Sequence, residues 1–322
     1  MGRVVVFVPA DRGQPGTLRP MDEPPVMLRP RLLAAGWSDG ELRRRRRSGE
    51  LVAVGRGGYL PATDPRLVEA AAAHALRIES GEPLRADDSV VSHVSAAVVH
   101  GLPVWNLPLD RVHRTRDRRT GGRRTPTAHL HAAPLDAGEV TEVGGRLVTT
   151  VARTLADIGR TAGFEQVVVL ADAALHRRLV DPEALQQALL RAAGWRGVPA
   201  ARRALEFADH RAESVGESRS RVAIARAGLP VPHLQREVSS GQVWLGRVDF
   251  AWPGVVGEFD GRVKYGKYLR PGQDPGDAVF AEKQREDRIR DEGLRVVRWI
   301  WDELRRFGEV SERLRRALAG GR

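Results

Sequence analysis

Two apolar runs, Val243–Trp252 and Val255–Asp260, meet at Pro253-Gly254, and both carry acidic residues inside them. A proline–glycine pair is turn chemistry, so the runs read as adjoining antiparallel strands. Side chains at i and i+2 share a strand face, which points Glu258 and Asp260 the same way. The hairpin brings Asp249 beside them. Carboxylates gathered in this way repel one another unless a cation or a proton intervenes. Three hard oxygen ligands suit Mg²⁺ or Mn²⁺, and such a cation can polarise a phosphodiester and activate water. A structural use of the same residues is also open: Asp249 closing the turn, with Glu258 and Asp260 paired to Arg262 or Arg285.

The hairpin sits in a longer pattern. A helix is predicted over Ser214–Ala227 and a further strand over Gln235–Ser239. After the hairpin, a Gly- and Pro-rich loop runs to Pro275-Gly276. A charged helix over Asp277–Glu292, a strand over Leu294–Trp299 and a helix over Phe307–Leu318 complete an α/β sandwich. The run Val248-Asp249-Phe250 … Gly257-Glu258-Phe259-Asp260-Gly261 resembles the PD-(D/E)XK nuclease superfamily. Within it, the likeness is to uncharacterised proteins grouped with very-short-patch-repair endonucleases. Glu217-Ser218, Gly228-Leu229-Pro230, Lys283-Gln284-Arg285-Glu286-Asp287 and Arg295-Val296-Val297-Arg298-Trp299 extend it over Glu213–Leu318. The resemblance implies a restriction-endonuclease-like sandwich over residues 211–322. It also implies Mg²⁺ or Mn²⁺ on Asp249 and Glu258 with help from Asp260, and Glu217 reaching the ion from the leading helix. The superfamily lysine belongs two residues after the second acid, where Asp260 stands here, so the ammonium falls to Lys264 or Lys283.

Near the other end, Arg31–Ala35 reads as a helical turn closed by Gly36. Ser38 stands three residues before Glu41, the spacing of a capping box that opens a helix through Arg47. Leu51–Val54, a glycine-rich turn and Tyr59-Leu60 form a small hairpin, giving the layout of a winged helix-turn-helix over residues 29–63. Leu33-Ala34-Ala35-Gly36-Trp37-Ser38, Gly49-Glu50-Leu51-Val52 and Arg56-Gly57-Gly58-Tyr59-Leu60-Pro61 resemble the N-terminal module of the AbiEi antitoxins of type IV toxin–antitoxin systems. Ser92-His93-Val94-Ser95-Ala96-Ala97 through Gly101-Leu102-Pro103 looks like the segment that follows it there. The resemblance implies DNA and a cognate toxin protein as partners. Arg43, Arg44, Arg45, Arg46 and Arg47 run unbroken along the second helix, and Arg56 tips the hairpin. These arginines suit phosphate contact, although a solvated helix face would look the same.

Residues 64–210 are expected to form a mixed α/β middle region. Helices are placed from Asp64-Pro65 to about Ile78 and from Ser92 to His100. Strands follow over Arg111–Thr115, Thr127–Ala133 and Val140–Thr150, then helices from Val151 to Asp209, one restarted at Asp181-Pro182. His93, His100, His113, His129 and His131 lack metal-ligand spacing on one helix. His129 and His131 share a strand face, read as merely polar. Residues 1–28 show no periodicity. They are taken as an extension, or as a start placed too early with Met21 or Met27 as the true start.

Composition narrows the function. The chain has 322 residues, no cysteine, a net charge of +11 and a pI near 11.0. Thiol catalysis and disulfides are excluded, and no apolar run approaches the ~20 residues of a membrane span. A reducing cytoplasm fits, and the arginine excess favours a polyanionic partner. The expectation is an α+β and α/β multidomain DNA-binding protein with a metal-dependent endonuclease-like C-terminal domain. The alternatives are a non-catalytic regulator or antitoxin using the nuclease fold as a scaffold, and a toxin-neutralising partner protein.

Overall fold

The computed structural model describes residues 25–81, 88–261 and 284–320. It divides into two compact units: Met1–Leu170 with Arg177–Glu206, and Ala171–His176 with Phe207–Arg322. Among the described residues the fold is mixed α/β with three sheets.

The first unit opens with β1 (Met27–Leu28), α1 (Arg29–Ala34) and α2 (Asp39–Arg47), followed by the hairpin β2 (Leu51–Gly55) and β3 (Gly58–Pro61). Ser38 caps α2 as its spacing predicts, its hydroxyl accepting from the Glu41 N–H at 3.1 Å. Gly36, at φ +90°, turns the chain out of α1. The expected extension ends sooner than residue 28: Met27 and Leu28 pair with Tyr59 and Gly58, and Val26 is buried with Val54, Leu60 and Leu76. The helix expected from Asp64 is also interrupted. A short 3₁₀ turn, Pro65–Leu67, is capped by Asp64, and α3 (Ala70–Gly81) begins afresh where the Glu69 carboxylate accepts from the N–H groups of Ala71 and Ala72.

Then come β4 (Val90–Val91), α4 (His93–Val99), β5 (Val112–Asp117), β6 (Arg123–Arg124), β7 (Ala128–Ala133), β8 (Val140–Val143) and β9 (Arg146–Thr149). They form a six-stranded sheet in the order β6-β7-β5-β4-β9-β8. β5 runs parallel to β7, with His113 opposite His129 and Thr115 opposite His131. Four helices complete this stretch: α5 (Val151–Gly159), α6 (Phe164–His176), α7 (Pro182–Arg191) and α8 (Val198–Phe207).

The second unit holds α9 (Val215–Arg226), β10 (His233–Ser240), β11 (Val243–Trp252), β12 (Val255–Asp260), a helix α10 (residues 284–291), β13 (Arg295–Ile300), α11 (Trp301–Arg305) and α12 (Phe307–Ala319). Its sheet runs β10-β11-β12-β13, antiparallel except that β13 lies parallel to β12. A parallel neighbour needs a crossover, and the segment from Gly261 to Leu294, which includes α10, provides it. Ile224 of α9 and Val310 and Leu314 of α12 pack with Phe250, Trp252 and Trp299 in one cluster. Ile289 of α10 packs with Val248, Ala251 and Val256 in another. The sheet is therefore covered on both faces. Trp299 is fully buried, and its ring N–H donates to Ser220 Oγ at 2.8 Å.

Candidate functional site

Phe250 pairs with Gly257 and Ala251 with Val256, which brings Asp249 level with Glu258. Asp249 Oδ2 accepts the Phe259 N–H at 2.8 Å. Burial raises the Asp249 carboxyl to about 7, and the negative charges of Glu217, Glu258 and Glu213 add to the effect against that hydrogen bond. Burial likewise pushes Glu217 up. Asp249 is thus a carboxyl group whose surroundings disfavour its charge unless a cation joins it.

The neighbouring acids are already engaged. Glu217 stands in the first turn of α9, where its Oε1 accepts from Ser214 Oγ at 2.7 Å. Its Oε2 accepts from the Glu213 N–H at 2.9 Å and from Gln235 Nε2 at 2.7 Å. Glu258 Oε1 accepts from Arg285 Nη2 and its Oε2 pairs with Arg298 Nη2, each at 2.8 Å, and Arg298 reaches on to Glu286 at 3.1 Å. Of the structural pairings foreseen for Glu258, the Arg285 one is formed, and Arg298 joins it from β13. Asp260 lies at the end of β12, partly buried. Lys264 and Lys283 lie outside the described residues.

On α2, Leu42 is buried in the core of the module, while Arg43, Arg44, Arg46 and Arg47 are exposed. Helical spacing puts Arg43, Arg44 and Arg47 on one outward face. Arg45 is committed elsewhere: it pairs with Glu41 at 3.0 Å, and its guanidinium lies 4.4 Å from the centre of the Trp37 ring. Arg56 is exposed at the tip of the β2–β3 turn.

A second cluster joins His131, which the sequence read as part of a polar strand face, to His93 on α4 and His113 on β5. One ligand atom from each of His93, His113 and His131 lies within 4.8 Å of the others, and these three form a group that could hold a metal ion. Asp249, Glu258 and Asp260 form no group of this kind among the described residues. Desolvation holds all three imidazoles neutral, His113 at about 4, and neutral imidazole is the ligand form. No single-element spacing signals the group, because α4, β5 and β7 each contribute one member. The parallel register of β5 and β7 is what joins two of them.

No protein-family model matches the chain. Two proteins of Mycobacterium tuberculosis, from two strains, do match: the uncharacterized proteins MT2308 and Rv2248. Each is 32% identical over 203 residues, spanning 62% of this chain and 71% of the relative.

Proposed function

The chain belongs to the same family as these two mycobacterial proteins, and we propose that it is a DNA-binding protein with a metal-dependent, endonuclease-like C-terminal unit. The carrying observation is Asp249: a carboxyl raised to about 7 at the mouth of the β11–β12 pair, with three further acids acting on it. A cation such as Mg²⁺ or Mn²⁺ would relieve that repulsion at Asp249, and the acids around it would have to draw together to share it, since they form no ligand group among the described residues. Asp249 would hold the ion; Glu258 would join it by exchanging Arg285 and Arg298 for the cation, and Asp260 and Glu217 are the other acids that the resemblance assigns to it. A divalent ion there supplies Lewis-acid polarisation of a phosphodiester. The order of α9, three antiparallel strands, α10 and the parallel β13 agrees with the nuclease-like sandwich expected from the motifs. Arg43, Arg44, Arg47 and Arg56 supply exposed cations for the phosphate backbone. Lys264 or Lys283 would supply the ammonium that stabilises charge developing on phosphate.

A second reading rests on Glu258. Both of its oxygens are neutralised by arginine, which suits a regulator or antitoxin that uses the nuclease fold as a scaffold and leaves the strand uncut. Plasmid DNA incubated with the protein and Mg²⁺ or Mn²⁺ separates the two. Nicking that Asp249→Ala and Glu258→Ala abolish supports the nuclease. Equal inertness of wild type and both variants with either ion leaves the scaffold reading. Neutralisation of a cognate toxin protein belongs to the scaffold reading and needs no cleavage.

A further inference from the structure

The histidine cluster of the first unit is built from parts with no role in the proposed chemistry of the second. His113 Nδ1 and His131 Nε2 face each other at 3.0 Å. The His93 ring stacks on His131 with 3.7 Å between centroids, and His129 lies 3.7 Å from the other side of His131. Two nitrogens 3.0 Å apart can share an ion about 2.1 Å from each at an angle of roughly 90°. Opening that separation to about 3.4 Å gives the tetrahedral angle preferred by zinc.

The remaining contacts prepare these rings. His93 Nδ1 meets Ser92 Oγ at 3.0 Å, leaving its Nε2 for a ligand, and the Ser92 hydroxyl is itself held by Thr115 at 2.8 Å. Ser95 Oγ accepts the backbone N–H of His113 at 2.8 Å and meets His74 Nε2 at 2.8 Å, fixing α4 against β5. Such outer hydrogen bonds orient the imidazoles of metal sites. His93 also sits at φ +52°, a left-handed backbone that a non-glycine residue adopts at some cost and that tends to persist at functional positions. Of the cations that act on the three rings, Arg153 and Arg160 are offset by Glu139 and Asp157, which pair with them at 2.7, 2.9 and 3.3 Å, and Arg111 by Asp110 at 2.5 Å. The local field therefore does not repel a divalent ion outright. His74 spends both ring nitrogens on Leu109 O and Ser95 Oγ, and His100 Nε2 is held by Thr149 O; neither belongs to the group of three.

We propose that His93, His113 and His131 form a binding site for a borderline divalent transition ion of the zinc class, with the fourth position left to water or to His129. Nitrogen-only ligation selects this class over Mg²⁺ and Ca²⁺, which demand oxygen. The ion would tie α4 to the β5–β7 pair. This site belongs to the first unit and Asp249 to the second, and the proposal for one does not rest on the other.

Full-length protein without a polyhistidine tag, stripped by a chelator that is then removed, is titrated with Zn²⁺ by calorimetry. One equivalent is expected in wild type, in Asp249→Ala and in His233→Asn, and its loss is expected in His113→Asn and His131→Asn. Binding that persists undiminished in both histidine variants, or no bound equivalent in wild type, overturns the proposal. Should the variants fail to fold, Co²⁺-loaded wild type decides by X-ray absorption. A shell with about three imidazole nitrogens supports the site, and an oxygen-only shell refutes it.

Discussion

Asp249 shows how one residue links the fold to pH. Its carboxyl is raised from 3.8 to about 7, so in the ion-free protein the neutral form is the one that the fold prefers. A raised carboxyl contributes stability that is full below the ordinary carboxylate range and is lost as pH climbs through about 7. The sum is on the order of a few kcal/mol. In the presence of chelator, the melting temperature should therefore fall between about pH 4 and about pH 8, and Asp249→Asn should flatten that fall. Identical slopes for the two proteins would count against the raised carboxyl. Adding Mg²⁺ near neutral pH should recover stability in wild type but not in the variant. The residue itself was visible in the sequence as an acid inside an apolar strand. Glu258 and Glu217 were foreseen beside it, but its burial, the Phe259 N–H bond and the charge of Glu213, just before α9 and more than thirty positions upstream, were not.

Packing between elements sets the next scale. A Cβ placed on Gly216 would meet the Phe259 ring at 1.8 Å, so α9 lies against β12 only because that position is glycine. Gly216→Ala should cost about 1–3 kcal/mol, read as a lower unfolding midpoint. Pairing it with Phe259→Leu should recover part of the loss, since the two changes share one space. In the first unit, Arg153 is 2% exposed and binds Glu139 and Asp157 at 2.7 and 2.9 Å. Arg153→Met leaves buried Glu139 without its cation and buried Asp157 with Arg160 alone, and should destabilise by about 3–5 kcal/mol in denaturant melts. The more exposed Arg160→Ala should cost less than ~1 kcal/mol. Comparable losses from both arginines would show that the buried network is not what holds α5.

For the whole molecule, the net charge of +11 gains meaning from where the arginines face. Arg43, Arg44 and Arg47 share an outward side of α2, whereas Arg45 is taken by Glu41 and Trp37. Replacing Arg43, Arg44 and Arg47 by alanine together should weaken DNA binding and flatten the dependence of log K on log salt by up to about 3. Arg45→Ala should leave that slope nearly unchanged. If the triple variant binds with wild-type affinity and slope, the module does not dock through this helix. Among the described residues no helix is long and apolar enough to cross a membrane, in keeping with the charge pattern.

Local chemistry alone determined much of this. The Ser38 cap, the Gly36 exit and the hairpin Val243–Trp252/Val255–Asp260 follow from neighbours within a few positions, and their observed bounds match the sequence expectation. The hairpin also placed Asp249 beside Glu258, because a tight turn fixes strand register. The two-residue strands β4 and β6 gave no such signal, since pairing partners far along the chain make them strands. The break at Val68-Glu69 depended on a side chain choosing to cap a new helix. Tertiary structure decided which acids stay charged, which arginines face outward and which histidines meet. Register along one strand is written in the sequence, but the distance between α9 and β11 in the second unit, or between α4 and the β5–β7 pair in the first, is set only when each unit packs its own apolar faces.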